Sequence, residues 1–283
     1  MNLVVFGEDM YTAAVIGSLV KAGHTVCLLV TPDSSTVNFR VLEETTGKYG
    51  IGFFKTEDIN SDVVAGMIRE IKPDLIVSVH LRRILKKEIF SLAAKGAINI
   101  HPSLLPKYRG LSPQHQAIMH GDAESGVTVH FMEEEVDTGD IILQKKFAIE
   151  NSDYILHVQA KMLSIYKTII VEAVTLLERG SFEPIKQEME QGSYFGPLKK
   201  ADREINLSKS TKEVHNLIRA VSLPYKGAFY KEYVFWTAET ASGKSLAEKY
   251  KDVGVYFEEA EDRVIICLKD GFLVSEDFEI KGN

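Results

Sequence analysis

Short apolar segments alternate with segments of helical periodicity through the first half of this chain. The series runs NLVVFG, MYTAAVIGSLVKAG, HTVCLLVT, then IGFFK, SDVVAGMIREIK, DLIVSV and GAINIH. Strands that are apolar on both faces and are joined by helices form parallel sheets with right-handed crossovers. The pattern therefore predicts an α/β fold with a Rossmann-like, mostly parallel sheet.

Polar side chains appear where the strand GAINIH ends. Asn99 and His101 are two residues apart, so an extended strand places both side chains on one face. Ligands of such sheets bind beyond the carboxyl ends of the strands. Downstream, GVTVHFME and DIILQKKFAI predict a hairpin whose acidic loop, Glu133–Gly139, contains Asp137. We expect these polar residues to lie near a ligand.

Charge and composition exclude several classes of function. The net charge is −7, with 12 basic and 15 acidic residues in 201–283, so neither part of the chain is basic. Proteins that bind a polyanionic backbone normally have a positively charged surface, so nucleic acid is disfavoured as a partner. No apolar run approaches the roughly 20 residues that cross a bilayer, and MNLVVFGEDM lacks signal-peptide features. These features predict a cytoplasmic protein without a membrane partner.

The sequence offers no pattern for a metal or a dinucleotide. Eight histidines are scattered, and Cys27 and Cys267 both lie in apolar strand-like runs, where a buried thiol is expected. The turn in VVFGEDMYT has only Gly7, so it lacks both the dinucleotide fingerprint and the Walker pattern. We expect no metal, no NAD and no ATP.

The motif N-x-H-P-S-L-L-P is followed, 36 residues after its histidine, by D-T-G-D. Residue types, order and spacing resemble the formyltransferases that use N10-formyltetrahydrofolate, and the resemblance runs from about Asn2 to Gly180. It implies that Asn99, His101 and Asp137 are catalytic. Formyl transfer to an amine passes through a tetrahedral intermediate, which needs an oxyanion donor and proton transfer. Asn99 is suited to the first task and His101 with Asp137 to the second, and which of those two is the base stays open.

The stretch VSVHLRRILKKEIF resembles the family loop whose backbone binds the pteridine ring. The resemblance assigns six residues to folate: Arg83, Ile84, Leu85, Val136, Thr138 and Gly139. Arg82 is then expected to face the acceptor, where a guanidinium suits a diphosphate. The alternative is that Arg82 belongs to a solvated basic helix start.

The chain after the long helical stretch resembles a particular branch of the family. SYFGPLKKADREINLSKSTKEVHNLIRAVSLPYKGAFY is similar to the segment by which methionyl-tRNA and nucleotide-sugar formyltransferases enter a C-terminal β-rich domain. VFWTAET, GVYFEE and RVIICLKDGFLVSEDFEI read as short strands. We expect a catalytic domain over residues 1–200 and a small, OB-like domain, which could be truncated, over 201–283.

Three observations favour a nucleotide-linked amino sugar as acceptor, with methionyl-tRNA as the alternative. The C-terminal part is acidic and short, VTPDSSTVNFRVLEE lacks a basic Gly-Arg-rich loop, and YFGPL resembles the CFG-type element of sugar formyltransferases. We do not expect a formyltetrahydrofolate hydrolase, because that family usually carries an extra N-terminal regulatory domain. A binding module without catalysis would be expected to lack one of the three catalytic residues.

Two groups of residues are candidates for the sugar nucleotide. The loop SLLPKYRG places Ser103, Lys107, Tyr108 and Arg109 beside the catalytic residues. Tyr194 and Phe195 are candidates to stack on a base, although aromatic pairs more often belong to a core. The identities of the nucleotide base and the amino sugar and the position of the formylated amine stay open, as does whether the protein forms a homodimer.

Overall fold

The protein forms two compact units. The computed structural model describes residues 1–34, 39–180 and 182–281. One unit comprises Met1–Gly110, Gly126–Lys146 and Lys161–Phe195; the other comprises Leu111–Ser125, Phe147–Ala160 and the chain from Gly196 onward. The segment 30–44, whose lack of a basic loop argues against tRNA, includes residues 35–38, which lie outside the described residues. A domain boundary at residue 200 stays a prediction.

The expected alternation of strands and helices holds up to residue 101, and further strands and helices follow up to residue 195. In chain order they are β1 (Asn2–Gly7), α1 (Met10–Lys21), β2 (Thr25–Pro32), α2 (Phe39–Tyr49), β3 (Gly52–Thr56), α3 (Asp62–Ile71), β4 (Leu75–Val79), α4 (Lys87–Phe90), β5 (Ala97–His101), β6 (Arg109–Gly110), α5 (Pro113–Met119), β7 (Glu124–Phe131), β8 (Ile141–Ala148), α6 (Ile155–Arg179) and β9 (Tyr194–Phe195).

A seven-stranded sheet of order β3-β2-β1-β4-β5-β7-β8 organises the first unit. The strands from β3 to β5 are parallel, and β7 is antiparallel to β5. All five residues of β4 are buried, as expected for a strand covered on both faces. The prediction of a mostly parallel α/β sheet is confirmed. Because β1 pairs with both β2 and β4, the winding reverses there, and the crevice for a ligand opens at such a reversal.

The β1–α1 turn shows why this chain needs no glycine-rich cradle there. The Asp9 carboxylate accepts hydrogen bonds from the backbone N–H groups of Tyr11 and Thr12, at 2.9 and 3.2 Å. Asp9 is therefore the N-cap of α1 and occupies the helix N-terminus, where a phosphate would sit in a dinucleotide-binding fold.

The second unit is rich in antiparallel strands. Its remaining elements are α7 (Thr211–Val221), β10 (Ala228–Tyr230), β11 (Tyr233–Phe235), β12 (Glu239–Ala241), α8 (Lys244–Lys249), β13 (Gly254–Glu258), β14 (Arg263–Leu268), β15 (Gly271–Ser275) and β16 (Phe278–Ile280). They form a three-stranded sheet, β10-β11-β16, and a four-stranded sheet, β12-β15-β14-β13. The β-rich character expected of this part is confirmed, and its OB-like form stays a prediction.

Two further observations bear on the expectations from composition. Cys267 is buried in β14 and Cys27 is half-buried in β2, and both thiols are free. Across residues 1–34, 39–180 and 182–281, no helix combines the length and the apolarity that a membrane span requires.

Candidate active site

The three predicted catalytic residues meet at the carboxyl edge of the sheet. Asn99 and His101 lie on β5, and Asp137 lies in the loop between β7 and β8. His101 Nδ1 is 3.4 Å from Asp137 Oδ2, and Asn99 Nδ2 donates to Asp137 Oδ1 at 3.3 Å. The backbone N–H of Gly110 also donates to Asp137 Oδ2, at 2.8 Å. The carboxylate of Asp137 therefore joins β5 to the loop that follows it.

A backbone carbonyl fixes the tautomer of His101. Its Nε2 lies 2.8 Å from the carbonyl oxygen of Tyr108, and a carbonyl can only accept a hydrogen bond. Nε2 therefore carries the proton, and Nδ1 of the neutral ring bears the lone pair on the side of Asp137. This orientation leaves Nδ1 as the proton-accepting atom of the ring.

Burial and charge set the protonation states of the pair. Burial lowers the pKa of His101 below its usual value, although the Asp137 charge and the Tyr108 carbonyl act in the opposite direction. Burial raises the pKa of Asp137, but the positive charge of His101, when it is protonated, and the backbone N–H of Gly110 outweigh it and hold that pKa well below the usual range. The site therefore combines a neutral imidazole with a carboxylate.

His130 is a fourth polar member of this edge, which the sequence analysis did not identify. The antiparallel register of β5 and β7 places it opposite Asn99. Its Nδ1 donates to the carbonyl of Phe131 at 2.7 Å, and its Nε2 lies 3.2 Å from Asn99 Nδ2. The alternation of Thr128 and His130 in GVTVHF indicates that the two side chains share one face of a strand. Only the pairing of β7 with β5 shows that this face lies beside Asn99.

The loop that carries Asp137 has a constrained backbone. Asp137 itself has a φ of +57°, in the left-handed region. A Cβ on Gly139 would lie 2.0 Å from the carbonyl oxygen of Phe131, so the loop packs directly against the β7 backbone. Only glycine allows that approach.

The residues assigned to folate fall into two groups. Arg83 and Ile84 are exposed, whereas Leu85 is buried in an apolar cluster of this unit. The Asn60 side chain holds their loop by donating to the Ile84 carbonyl at 3.0 Å. In the second group, Val136 and Thr138 are half-buried, the Thr138 hydroxyl donates to Glu135, and Gly139 is buried.

Arg82 has a partner that the sequence analysis did not anticipate. Its Nε lies 3.1 Å from Glu8 Oε1, and its backbone N–H donates to the same oxygen at 3.0 Å. The Arg82 side chain is 59% exposed, but that of Glu8 is only 4% exposed. Burial raises the pKa of Glu8 despite the opposing charge of Arg82. The contact fixes the start of the loop.

The loop after β5 places its candidates in different environments. Ser103 is fully buried and its hydroxyl donates to the Lys107 carbonyl at 2.6 Å, so it acts within the loop. Lys107 is exposed. Arg109 is half-buried, and its Nε is buried without a hydrogen-bond partner among the described residues.

The aromatic candidates also differ. The Tyr108 ring is buried and lies 5.8 Å from that of Phe195, so Phe195 packs within the fold. Tyr194 is 59% exposed. The pairing of β6 with β9 brings both close to Gly110. Tyr194 is therefore the ring that a base could reach.

No cluster of metal-ligating residues occurs in the described part of the chain: no group of three or more His, Cys, Asp or Glu side chains could hold a metal ion.

Comparison with known proteins places this chain in a family. The sequence model described as formyl transferase matches residues 1–174, and that of the formyl transferase C-terminal domain matches residues 197–283. An N-formyltransferase from Helicobacter canadensis, solved with folinic acid and dTDP-3-aminofucose, superposes with a TM-score of 0.75 at 22% identity, covering 98% of this chain and 99% of that one.

Two further solved structures share the fold. The sugar 3-N-formyltransferase WlaRD, solved with dTDP and 5-N-formyl-THF, gives a TM-score of 0.73 at 22% identity, over 98% of this chain and 97% of that one. A sugar N-formyltransferase from a Shewanella species gives 0.67 at 24% identity, over 81% and 92%. The family models cover most of the sequence, and the chain is accordingly a member of the formyl transferase family and a folate-dependent enzyme.

Proposed function

We propose that this enzyme transfers a formyl group from N10-formyltetrahydrofolate to the amine of a nucleotide-linked amino sugar. The observation that carries the proposed chemistry is the meeting of Asn99, His101 and Asp137 at one edge of the sheet. The acceptor class is supported by the likeness, over nearly the whole chain, to proteins described as sugar N-formyltransferases.

Proton transfer is the task of His101 and Asp137. The neutral ring of His101 accepts the proton of the attacking amine at Nδ1, directly or through a water molecule. The nearby carboxylate of Asp137 and the Tyr108 carbonyl then stabilise the imidazolium. The imidazolium returns this proton to N10 of the folate as the bond between N10 and the formyl carbon breaks. His101 is the base in this scheme, and Asp137 stays charged because its pKa is held low.

Asn99 supplies a donor for the charge that develops on the formyl oxygen. Its two acceptors, His130 Nε2 and Asp137 Oδ1, lie only 3.5 Å apart, at 3.2 and 3.3 Å from Asn99 Nδ2. These distances make the angle between the acceptors smaller than the angle between the two amide N–H bonds. Both acceptors thus lie on one side of the amide nitrogen, and in the proposed scheme an N–H of Asn99 directed away from them donates to the oxyanion.

The co-substrate and the acceptor would use opposite parts of the edge. The backbone of the 83–85 loop and the 136–139 loop would bind the folate. Arg82, Lys107 and Arg109 are the cations that could bind a diphosphate. The buried Nε of Arg109 has no hydrogen-bond acceptor among the described residues and could donate to such a group.

A substrate panel tests the proposal. Purified enzyme is incubated with N10-formyltetrahydrofolate and each of the UDP- and dTDP-linked 3-amino and 4-amino sugars, and mass spectrometry reports the gain of one formyl group. We expect formylation of at least one nucleotide sugar and none of methionyl-tRNA, because the chain carries a net charge of −7. Formylated methionyl-tRNA, with no sugar product, would replace the proposed acceptor by tRNA.

A further inference from the structure

A segment far along the chain holds the catalytic carboxylate in place. We call residues 185–195 the strap. It begins with Ile185, whose N–H and carbonyl both exchange 2.8 Å hydrogen bonds with Ile141, and it ends as β9, paired with β6. All of these contacts lie within the first compact unit. The strap therefore runs beside both loops that meet at Asp137.

Gln187 is the side chain by which the strap reaches the Asp137 loop. It is only 6% exposed, and its Nε2 donates to the carbonyls of Asp137 and Gly139, at 2.9 and 2.7 Å. Because both partners are carbonyls, the donating nitrogen is assigned by chemistry. One amide thus fixes the backbone on both sides of the loop residue Thr138, next to a φ of +57° at Asp137.

The acceptor atom of the same amide is left unused. Gln187 Oε1 is buried and has no hydrogen-bond partner among the described residues. A buried polar atom without a partner costs stability, so a side chain kept only for stability would be poorly chosen. What Gln187 contributes is therefore the pair of hydrogen bonds that it donates to the Asp137 loop.

The strap also holds the backbone of residues 108–110, which contacts both the carboxylate of Asp137 and the ring of His101. The carbonyl of Ser193 accepts from Arg109 N at 2.8 Å, next to the Gly110 N–H that holds the Asp137 carboxylate. The Ser193 hydroxyl accepts from Tyr108 N at 2.8 Å, and the Tyr108 carbonyl orients His101. Both members of the catalytic pair are thus held from one segment.

We infer that Gln187 is a positioning residue for Asp137, setting its distance from His101 through the backbone of residues 137–139. The inference rests on the proposed function for its kinetic consequences, but not for its structural ones. Without the two hydrogen bonds the loop relaxes from its strained backbone, and the carboxylate no longer supports the imidazolium at the proper distance.

The test uses Gln187→Met, which keeps the size of the side chain and removes both donors. Gln191→Met is the matched control, because Gln191 lies on the same strap but donates to the exposed Glu188. We expect kcat of Q187M to fall about ten- to a hundredfold, with the KM of each substrate changed less than about threefold. Q191M is expected to match the wild type.

A titration of His101 by NMR on the unliganded protein gives a readout independent of the reaction. Since the Asp137 charge raises the pKa of His101, Q187M is expected to lower that pKa below the wild-type value, and Q191M to leave it unchanged. In an Asp137→Asn background, Q187M is expected to lower kcat less than twofold further, because both changes act through one carboxylate.

An unchanged His101 titration in Q187M, or a full additional loss of kcat in the D137N background, would overturn the inference. If Q187M does not fold, Gln187→Asn, which is too short to reach both carbonyls, replaces it with the same expectations. Failure of the proposed function reads differently: the wild type would then formylate no nucleotide sugar, while the NMR titration would still report whether Gln187 positions the carboxylate.

Discussion

Two carboxylates of the first unit, Asp9 and Asp137, each lie near the Nδ1 atom of a histidine close to the carboxyl edge of the sheet, and these two pairs differ in geometry. His80 Nδ1 is 2.9 Å from Asp9 Oδ2, whereas His101 Nδ1 is 3.4 Å from Asp137 Oδ2. The shorter contact belongs to the pair without a catalytic assignment. Distance alone therefore does not identify the catalytic pair.

The remaining contacts of each carboxylate distinguish the two pairs. Asp9 uses Oδ1 to cap α1, and the His80 ring packs 4.3 Å from that of Tyr11 and 5.4 Å from that of Tyr166. This pair ties the end of β4 to the start of α1 and is part of the fold. Asp137 instead faces the Asn99 amide and a loop N–H. We expect substitutions at the first pair to affect stability and those at the second to affect turnover.

The largest effect is expected at the second pair. His101→Ala and Asp137→Ala should each lower turnover by at least about a hundredfold, the range of a general acid–base group. Their thermal unfolding should stay cooperative and close to that of the wild type. Steady-state rates and melting curves check both statements, and a near-wild-type rate in either variant would remove that residue from the catalytic set.

A smaller effect is expected on the loop that follows His80. Arg82→Ala should raise the KM for the sugar nucleotide roughly ten- to a hundredfold with little change in kcat, because a lost Arg–phosphate pair costs about 1.5–3 kcal/mol of binding. Arg83→Ala is the matched control, since the proposed role of Arg83 uses its backbone. Equal KM values for R82A and the wild type would make Arg82 a loop residue that serves only Glu8.

The pH dependence sharpens the contrast between the pairs. The pKa of His101 lies below its usual value, so the base is neutral at pH 7 and activity is lost as pH falls through that lowered pKa. Replacing Asp137 with Asn removes a charge that raises the pKa, so the His101 titration should move to still lower pH. Asp9→Asn should leave it in place. The ring signals of His101 in an NMR titration check both shifts, and a titration above about 6.5 would contradict the assignment.

The smallest effect on activity is expected for the capping pair. Asp9→Ala removes the N-cap of α1 and the partner of His80, which should lower the free energy of unfolding by about 0.5–2 kcal/mol. Turnover should change by only a few fold. Urea unfolding and steady-state kinetics of one preparation measure both quantities. A large loss of turnover with unchanged stability would erase the distinction between the pairs.

The sequence predicts the sheet and the catalytic residues for separate reasons. Apolar runs such as DLIVSV specify buried parallel strands by local pattern, and the spacing of Asn99, His101 and Asp137 carries a family resemblance. His130 and Gln187 escaped prediction because their positions depend on contacts between segments distant in the chain. The Glu8–Arg82 pair joins residues 74 positions apart. Nothing in the sequence distinguishes these two residues from the other acidic and basic residues of the chain.

One comparison tests the central claim most directly: folate-dependent formylation of a nucleotide amino sugar, followed by mass spectrometry, for the wild type, Asp137→Asn and Asp9→Asn in parallel. These variants change the same functional group in the two histidine–carboxylate pairs. We predict product from the wild type and from D9N at rates within a few fold of each other, and a loss of at least about a hundredfold in D137N. Equal rates for D137N and D9N would contradict the assignment of Asp137, and with it the account of this site.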